Sequence, residues 1–546
     1  MRLPFFVLLS AICYAQQPIL YNHATVNAAS YAPFGVPNGA IARGSVFTVF
    51  GENLGPAQSP SLSFPLSATL GGVSISVTQS GVVTQAYPIY VSSGQINAVL
   101  PSTVTAGLAS LRLTYQSNKS NAVTIQIANS SPGIFAISNG GYGPGVVYNF
   151  VSQSNQPVNS LAAPAAPGQL VTIWGTGLGP VNFPDNVAPK PGNVTTAVSV
   201  TIGGQPAKVT YSGRSPCCAG VDQIVATVPS SVPLGCWVPL TVNAGGTVSN
   251  SATMAVAAKG AASCSDPGNP LSALVRTPGG QSYILFYRID SVENLNTSPA
   301  TLRTVDKLYS RFYTRPNSPY NFDPYMSYAP IGTCLVQQGT GESAPGWSLR
   351  GALPASASLN PQPYQAYSNN GGQPLTFTPS QSFFASTVGD INSSVAEGMA
   401  LLGPNASFTI DPGGPNQTVL PITLEPPPGW TRPQAAILIP RNSPLSLSFS
   451  PVDGGAPIAI VIYSYAAATN STVQVQCLAP PGAASFTIPA DSLSNLQPTY
   501  GIRDGSYANL LVGTLGFNHA ETFSNKLASN GILVTANWVA QSVVLE

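Results

Sequence analysis

The sequence predicts an all-β fold, tandem β-sandwiches followed by one or two further β-rich domains, and three observations carry this expectation. Charged residues make up only 7% of the 546 residues, against roughly 25% in an average soluble domain, and long surface helices need charges. Glycine and proline number 52 and 53 and punctuate short apolar or alternating runs with turns. Finally, the stretch Gly44-Ser45-Val46-Phe47-Thr48-Val49-Phe50-Gly51-Glu52-Asn53-Leu54-Gly55-Pro56 returns later as Gly168-Gln169-Leu170-Val171-Thr172-Ile173-Trp174-Gly175-Thr176-Gly177-Leu178-Gly179-Pro180.

Each copy is a β-branched and aromatic run that ends at a glycine, with Leu three residues later and then Gly-Pro, the pattern of a strand entering a tight turn. Side chains alternate along a strand, so Phe47 and Val49, like Val171 and Ile173, share the strictly apolar face and are the expected core. Gly51 and Gly175 are expected at positive φ, which would let Leu54 and Leu178 fold back over that core. The echo continues. Leu70-Gly71-Gly72 answers Ile202-Gly203-Gly204, Gln95-Ile96 answers Gln223-Ile224, Pro101 answers Pro229, and Ser120-Asn121 answers Ser249-Asn250. The two copies span residues 26 to 258, and a unit of roughly 115 residues has the size of a sandwich.

Taken together, these anchors resemble the secreted β-sandwich repeats of acidobacterial proteins, and their strand-turn core is similar to IPT/TIG immunoglobulin-like domains. The resemblance implies Ig-like sandwiches outside the cytoplasm, and it brings no catalytic residues with it. The expected division is a signal peptide at 1–15, Ig-like sandwiches at 16–137 and 138–258, a β-rich domain at 265–428 and a sandwich-like domain at 429–546. A small-residue linker at 259–263 and the run Pro426-Pro427-Pro428-Gly429 mark two of the boundaries.

The N-terminus reads as an export signal, with Arg2 as the positive charge, residues 3–12 as the apolar run, and Cys13-Tyr14-Ala15 as a small-residue cleavage site. Bulky Ile12 argues against a lipoprotein anchor at Cys13. No later apolar run reaches the ~18 residues of a membrane span. A formal charge of +1 gives no footprint for nucleic acid or anionic membranes.

Cleavage leaves Cys217, Cys218, Cys236, Cys264, Cys334 and Cys477, an even number that suits disulfides in an oxidising compartment. Cys217 and Cys218 are adjacent, closer than the usual Cα separation of a bridged pair, so each is expected to reach a different partner. Cys236 and Cys264 are the nearest pair, leaving Cys334 with Cys477 as a bridge between the third and fourth units. No Cys-x-x-Cys and no His near a Cys argue against zinc; no metal or cofactor is expected.

Chemistry is sparse. A nucleophilic triad needs a base, and the chain holds only His23, expected exposed near the mature N-terminus, and His519, in a polar loop, neither beside a Gly-x-Ser-x-Gly elbow. Glycoside hydrolysis needs two carboxylates ~5 to 9 Å apart; Asp390 and Glu397, in a loop-like stretch, are the candidates. Asp411-Pro412-Gly413-Gly414, Asp453-Gly454-Gly455 and Asp504-Gly505 are turns, and Gly141-Tyr142-Gly143-Pro144-Gly145 is a linker turn with no lysine to hold phosphate. Residues 303–315 place Arg303, Lys307, Arg311 and Arg315 at a spacing of four, a helix candidate whose aromatics also fit a strand.

The stretch Tyr309 to Tyr328 has binding character: Tyr313, Arg315, Tyr320, Phe322 and Tyr325 offer aromatic faces and planar hydrogen-bonding groups for a sugar or protein. The same residues also fit a loop that covers the third unit's core, and burial decides between the two. The expectation is thus an exported protein with a binding, adhesive or structural role toward an extracellular glycan or protein. Its alternative is a secreted polysaccharide hydrolase working through acidic residues of the C-terminal half.

Overall fold

A computed structural model describes residues 17–294, 301–340, 356–360, 375–377, 384–393, 406–411, 417–430, 437–450, 455–499, 505–526 and 528–546. The expected signal peptide at 1–15 and Glu397 lie outside the described residues.

The first nine-stranded system runs Ile19–Asn27, Val46–Glu52, Gln95–Val99, Val82–Val91, Val73–Gln79, Gly107–Tyr115, Asn118–Ala128 and Ile41–Ala42 in spatial order, with Thr69–Leu70 at its side. One strand serves both layers of the sandwich: the first half of Val82–Val91 pairs with Val73–Gln79 and the second half with Gln95–Val99. The second system repeats this order with Gly133–Ile134, Leu170–Thr176, Asp222–Thr227, Gln205–Arg214, Val198–Ile202, Gly235–Ala244, Ala252–Val256 and Gly143–Pro144. Even the short parallel contacts recur, Ile41–Ala42 on Ile127 and Ala128, and Gly143–Pro144 on Ala252 and Thr253. Residues 141–145, expected as a linker turn, therefore contribute a strand to the second sandwich.

Phe47, Val49 and Leu54 are buried in the first core, and Val171, Ile173 and Leu178 in the second. The glycine expectation is corrected. Gly51 and Gly175 are not at positive φ; that role falls to Asn53 (φ 56°) and Gly177 (φ 98°). Gly51 and Gly175 are required for a different reason, because a Cβ would run into the backbone carbonyl of Ile19 or of Gly133 on the strand alongside. Backbone cannot step aside as a side chain can, so Gly175→Ala should cost about 1–3 kcal/mol, read as a lowered urea midpoint of the full chain. Gly71 and Gly72, and likewise Gly203 and Gly204, all have positive φ, which closes two-residue hairpins of matching twist.

The Ser-Asn pair also has a reason. Ser120 Oγ accepts the Leu113 amide at 3.0 Å and Ser249 Oγ accepts the Val242 amide at 3.0 Å. Asn121 then holds both backbone groups of Leu20, accepting its N–H at 2.8 Å and donating to its carbonyl at 3.0 Å. Asn250 grips Ile134 identically, at 2.8 and 3.0 Å, and donates in addition to the Gly141 carbonyl at 2.7 Å. A side-chain amide thus imitates a neighbouring strand and ties the first strand of each sandwich across the layers.

The third system is a ten-stranded sheet ordered Cys334–Thr340, Ser471–Ala479, Ile458–Ala466, Tyr507–Leu515, Asn530–Leu545, Gly279–Asn294, Thr301–Arg315 and Phe384–Ser393, with Ile437–Ile439 and Glu521–Phe523 also on Asn530–Leu545. Its strands come from both sides of the expected 428/429 boundary, so those segments interleave in one sheet instead of forming two units. Residues 303–315 are strand, not helix; an even spacing of four puts residues on one side of either element, and pairing on both edges decides the outcome.

The cysteines pair as Cys217–Cys218, Cys236–Cys264 and Cys334–Cys477. The first corrects the expectation that neighbours reach different partners: their Cα atoms are 3.8 Å apart, the fixed span of a trans peptide, and the bridge closes within the dipeptide. Cys334 faces Cys477 in register on adjacent strands, so that bridge staples one edge of one sheet and does not link separate domains.

The three systems touch one another. Val46 and Val99 of the first pack with Ala219 and Val221 of the second. Ala32 and Val36 of the first enter the core of the ten-stranded sheet, beside a reciprocal amide pair in which Asn38 Nδ2 donates to Gln338 Oε1 at 3.2 Å and Gln338 Nε2 donates to Asn38 Oδ1 at 2.8 Å. The second and third share a core that includes Trp237, Tyr283, Tyr313, Phe322 and Met326.

Candidate functional site

The aromatic stretch proposed for ligand binding lies in that shared core. Tyr313, Arg315 and Phe322 are buried, and Tyr320 and Tyr325 half-buried. Arg315 donates to Asp323 at 3.3 Å and to the Tyr313 hydroxyl at 3.2 Å, with its guanidinium 5.0 Å from the Tyr313 ring centre. Asp323 Oδ1 accepts the Tyr325 amide at 3.0 Å, and the Asp323 amide donates to Ser327 at 2.8 Å. Trp237 Nε1 donates to the Asn321 carbonyl at 3.1 Å, and the Leu161 amide to the Pro319 carbonyl at 2.9 Å. Tyr313, Arg315, Phe322 and Tyr325 are thus corrected from a ligand surface to a joint, while Tyr320 is half-buried with its amide donating to Ser318 Oγ at 3.2 Å: planar, hydrogen-bonding aromatics serve a polar interdomain core as well as they would serve a sugar. Burial pushes the Tyr283 hydroxyl well above its ordinary value and the Tyr328 hydroxyl up to about 12, so both stay neutral across the physiological range.

The remaining candidates are scattered. Asp390 lies on the strand Phe384–Ser393, opposite Val305, and not in a loop. His23, expected exposed, is half-buried with φ 59° and stacks on Phe34 at 4.4 Å between ring centres. His519 sits in the turn Phe517–His519, 2.9 Å from a carboxylate oxygen of Glu425. Among the described residues, no group of three or more His, Cys, Asp and Glu gathers as a metal site, and no helix is long and apolar enough to cross a membrane.

What the structure does bring together is a recess of 210 Å³ where the second sandwich meets the third system, walled by Pro233, Leu234, Pro267, Tyr328, Pro330 and Ile331. Leu234 is 49% exposed. Two Pro-apolar-Gly segments build it, Pro233-Leu234-Gly235, which leads into the strand Gly235–Ala244 just before Cys236, and the tight turn Pro330-Ile331-Gly332 just before Cys334. Each displays one apolar residue between a proline and a glycine, with a disulfide cysteine close behind to anchor the segment. They touch, since a Cβ on Gly235 would come within 2.6 Å of both Pro330 and Asp266. This recess went unread in the sequence, although the paired Pro-apolar-Gly triplets ahead of cysteines were a visible signal.

Asp266 forms the polar floor, accepting the Cys236 amide at 2.9 Å and the Ser272 hydroxyl at 3.3 Å. Burial pushes its carboxyl up, against the lowering pull of those donors and of Arg276. A carboxyl raised in the folded state favours its protonated form there, so its contribution is complete below the ordinary carboxylate pKa and is lost as pH rises through the raised value. Relative to Asp266→Asn, the wild type should therefore lose stability as pH rises above the ordinary carboxylate pKa of about 4, measured as urea midpoints of both proteins.

Residues 156–256 match the family model of the IPT/TIG domain. The second sandwich, with its disulfide at Cys236, is thus TIG-like, and the first repeats its strand order. The fold is all-β, tandem Ig-like sandwiches followed by a further β-rich region. A comparison with curated proteins finds no match. Among solved structures, the chain is similar to a tetra-tandem repeat in the extending region of a large adhesion protein, at 11% identity over 96% of this chain and 99% of that one, TM-score 0.14. It is also similar to SGBP-B of the Bacteroides ovatus mixed-linkage glucan utilization locus, in complex with a mixed-linkage heptasaccharide, at 12% identity over 65% and 71%, TM-score 0.20. A third likeness is to domains 5-6 of the S-layer protein SbsC, at 14% identity over 44% and 99%, TM-score 0.16.

Proposed function

We propose that the protein is exported and works outside the cytoplasm as a binding, adhesion or structural element, taking a glycan or protein segment in the recess at Leu234 and Ile331. The construction of that recess supports the reading most: its walls come from two bodies locked by a shared buried core, so an exposed apolar contact is presented with little left to order on binding. Three disulfides suit an oxidising compartment. Of the hydrolase alternative's two carboxylates, Asp390 lies on the strand Phe384–Ser393 and Glu397 outside the described residues.

The test is a panel of glycans, cell-wall fractions and extracellular proteins against the immobilised full-length chain, beside an assay for released reducing sugar. Binding should weaken about tenfold in a Leu234→Ala, Ile331→Ala double variant, with no sugar released. Undiminished binding by the double variant would remove the recess from the proposal. Sugar release abolished by Asp390→Asn or Glu397→Gln would put the hydrolase in its place.

A further inference from the structure

The loop 215–221 joins the strands Gln205–Arg214 and Asp222–Thr227 of the second sandwich and holds the Cys217–Cys218 bridge. Both cysteines are exposed, whereas Cys236, Cys264, Cys334 and Cys477 are buried at 2%, 1%, 8% and 0%. Attack on a disulfide sulfur needs access, and only this bridge offers it. Loop closure separates the bridges further. Those at 28 and 143 residues of separation close long loops and so restrain the unfolded chain strongly, while a bridge between neighbours closes almost no chain.

The loop is also part of the joint with the first sandwich. Ala219 and Val221 pack against Ala28, Val46, Leu66 and Val99. The Gly220 carbonyl accepts the Thr176 hydroxyl at 2.6 Å, and Thr176 Oγ1 in turn accepts the Val46 amide at 2.9 Å. A Cβ on Gly220 would come within 2.8 Å of Val46, so the backbone there lies directly on the first sandwich. The bridge fixes the approach to this contact: the Cys217 amide donates to Ser215 Oγ at 3.0 Å, and the Val221 amide to the Cys218 carbonyl at 3.3 Å.

We infer that Cys217–Cys218 is a thiol–disulfide exchange site for a dithiol reductant, and that its reduction loosens the joint between the first and second sandwiches. A thiolate of the reductant attacks Cys217 Sγ, the bond between the two sulfurs breaks, and Cys218 leaves as a thiolate that takes up a proton. The second thiol of the reductant then attacks the mixed disulfide, releasing Cys217 as a thiol and closing the reductant's own disulfide, so two electrons pass to the protein. Arg214, Lys190 and Asp185 line the same small recess as Cys218.

The experiment is brief treatment of the folded, oxidised full-length chain with dithiothreitol, alkylation without denaturant, and peptide mass spectrometry, followed by hydrogen exchange on the same samples. Cys217 and Cys218 should be alkylated while the other four cysteines stay bridged, and the amides of Val46 and Val221 should then exchange about tenfold faster. A Cys217→Ser, Cys218→Ser variant should show that faster exchange without reductant; should it fail to fold, the wild-type time course decides alone. Alkylation of any buried pair together with or before Cys217 and Cys218 would overturn the assignment of the site. Unchanged exchange at Val46 after full reduction would overturn its coupling to the joint.

Discussion

Arg214→Ala should cost about 3–5 kcal/mol, because it leaves a carboxylate buried without its charge partner. Arg214 and Asp222 are both buried in the second sandwich and form a direct ion pair. Asp222 also accepts the Leu178 amide at 2.8 Å, so it holds the turn of the repeated motif in place. The arginine has a second task. Its Nη2 donates to the Gly44 carbonyl of the first sandwich at 2.6 Å and to the Gly179 carbonyl at 3.1 Å. Alanine therefore strands a charge and two carbonyl oxygens at once. Replacing both members of a buried pair by apolar residues of similar volume is often nearly neutral, so Arg214→Met with Asp222→Leu should recover most of the loss and fall short by the bonds to Gly44 and Gly179. Equilibrium urea denaturation of the two variants and the wild type supplies the comparison; equal stability of Arg214→Ala and wild type would contradict it.

Asn250→Ala should cost a similar amount, about 3–5 kcal/mol, while Asn121→Ala costs about 1–2 kcal/mol. Asn250 is 3% exposed and makes three hydrogen bonds, two to Ile134 and one to Gly141. Its loss leaves a buried amide and two carbonyls without partners. Asn121 performs the same grip on Leu20 with two bonds and an exposed side chain, so water replaces much of what alanine removes. Hydrogen exchange at Ile134 and Leu20, together with the urea midpoints, reads the difference; an equal loss at the two sites would mean that burial does not set the value of the clamp.

The two sandwiches were legible because a duplicated pattern fixes its own meaning. Phe47 and Val49, or Val171 and Ile173, alternate as strands do, and the Gly-Gly pairs sit where two-residue hairpins close. The role of Gly51 and Gly175 was not legible. Whether a glycine serves positive φ or a close backbone contact depends on what lies alongside, and Ile19 and Gly133 are remote in sequence or belong to another strand. The third system was harder for the same reason: Asn530–Leu545 pairs with Gly279–Asn294, an adjacency that no local pattern records. The tyrosines misled because a polar joint and a sugar platform draw on the same residue types. The Cys217–Cys218 bridge was missed because a separation rule drawn from distant cysteines does not extend to neighbours.

Contact between the first sandwich and the ten-stranded sheet, through Ala32, Val36 and the Asn38–Gln338 pair, makes the three bodies a closed triangle and not a string of beads. Tension applied to the ends of a string passes through every joint in series, and the weakest yields first. In a triangle the pull divides between two routes, one direct from the first body to the third and one through the second. Opening one joint leaves the other route carrying force, so the protein should stretch in stages, each giving before the whole lets go.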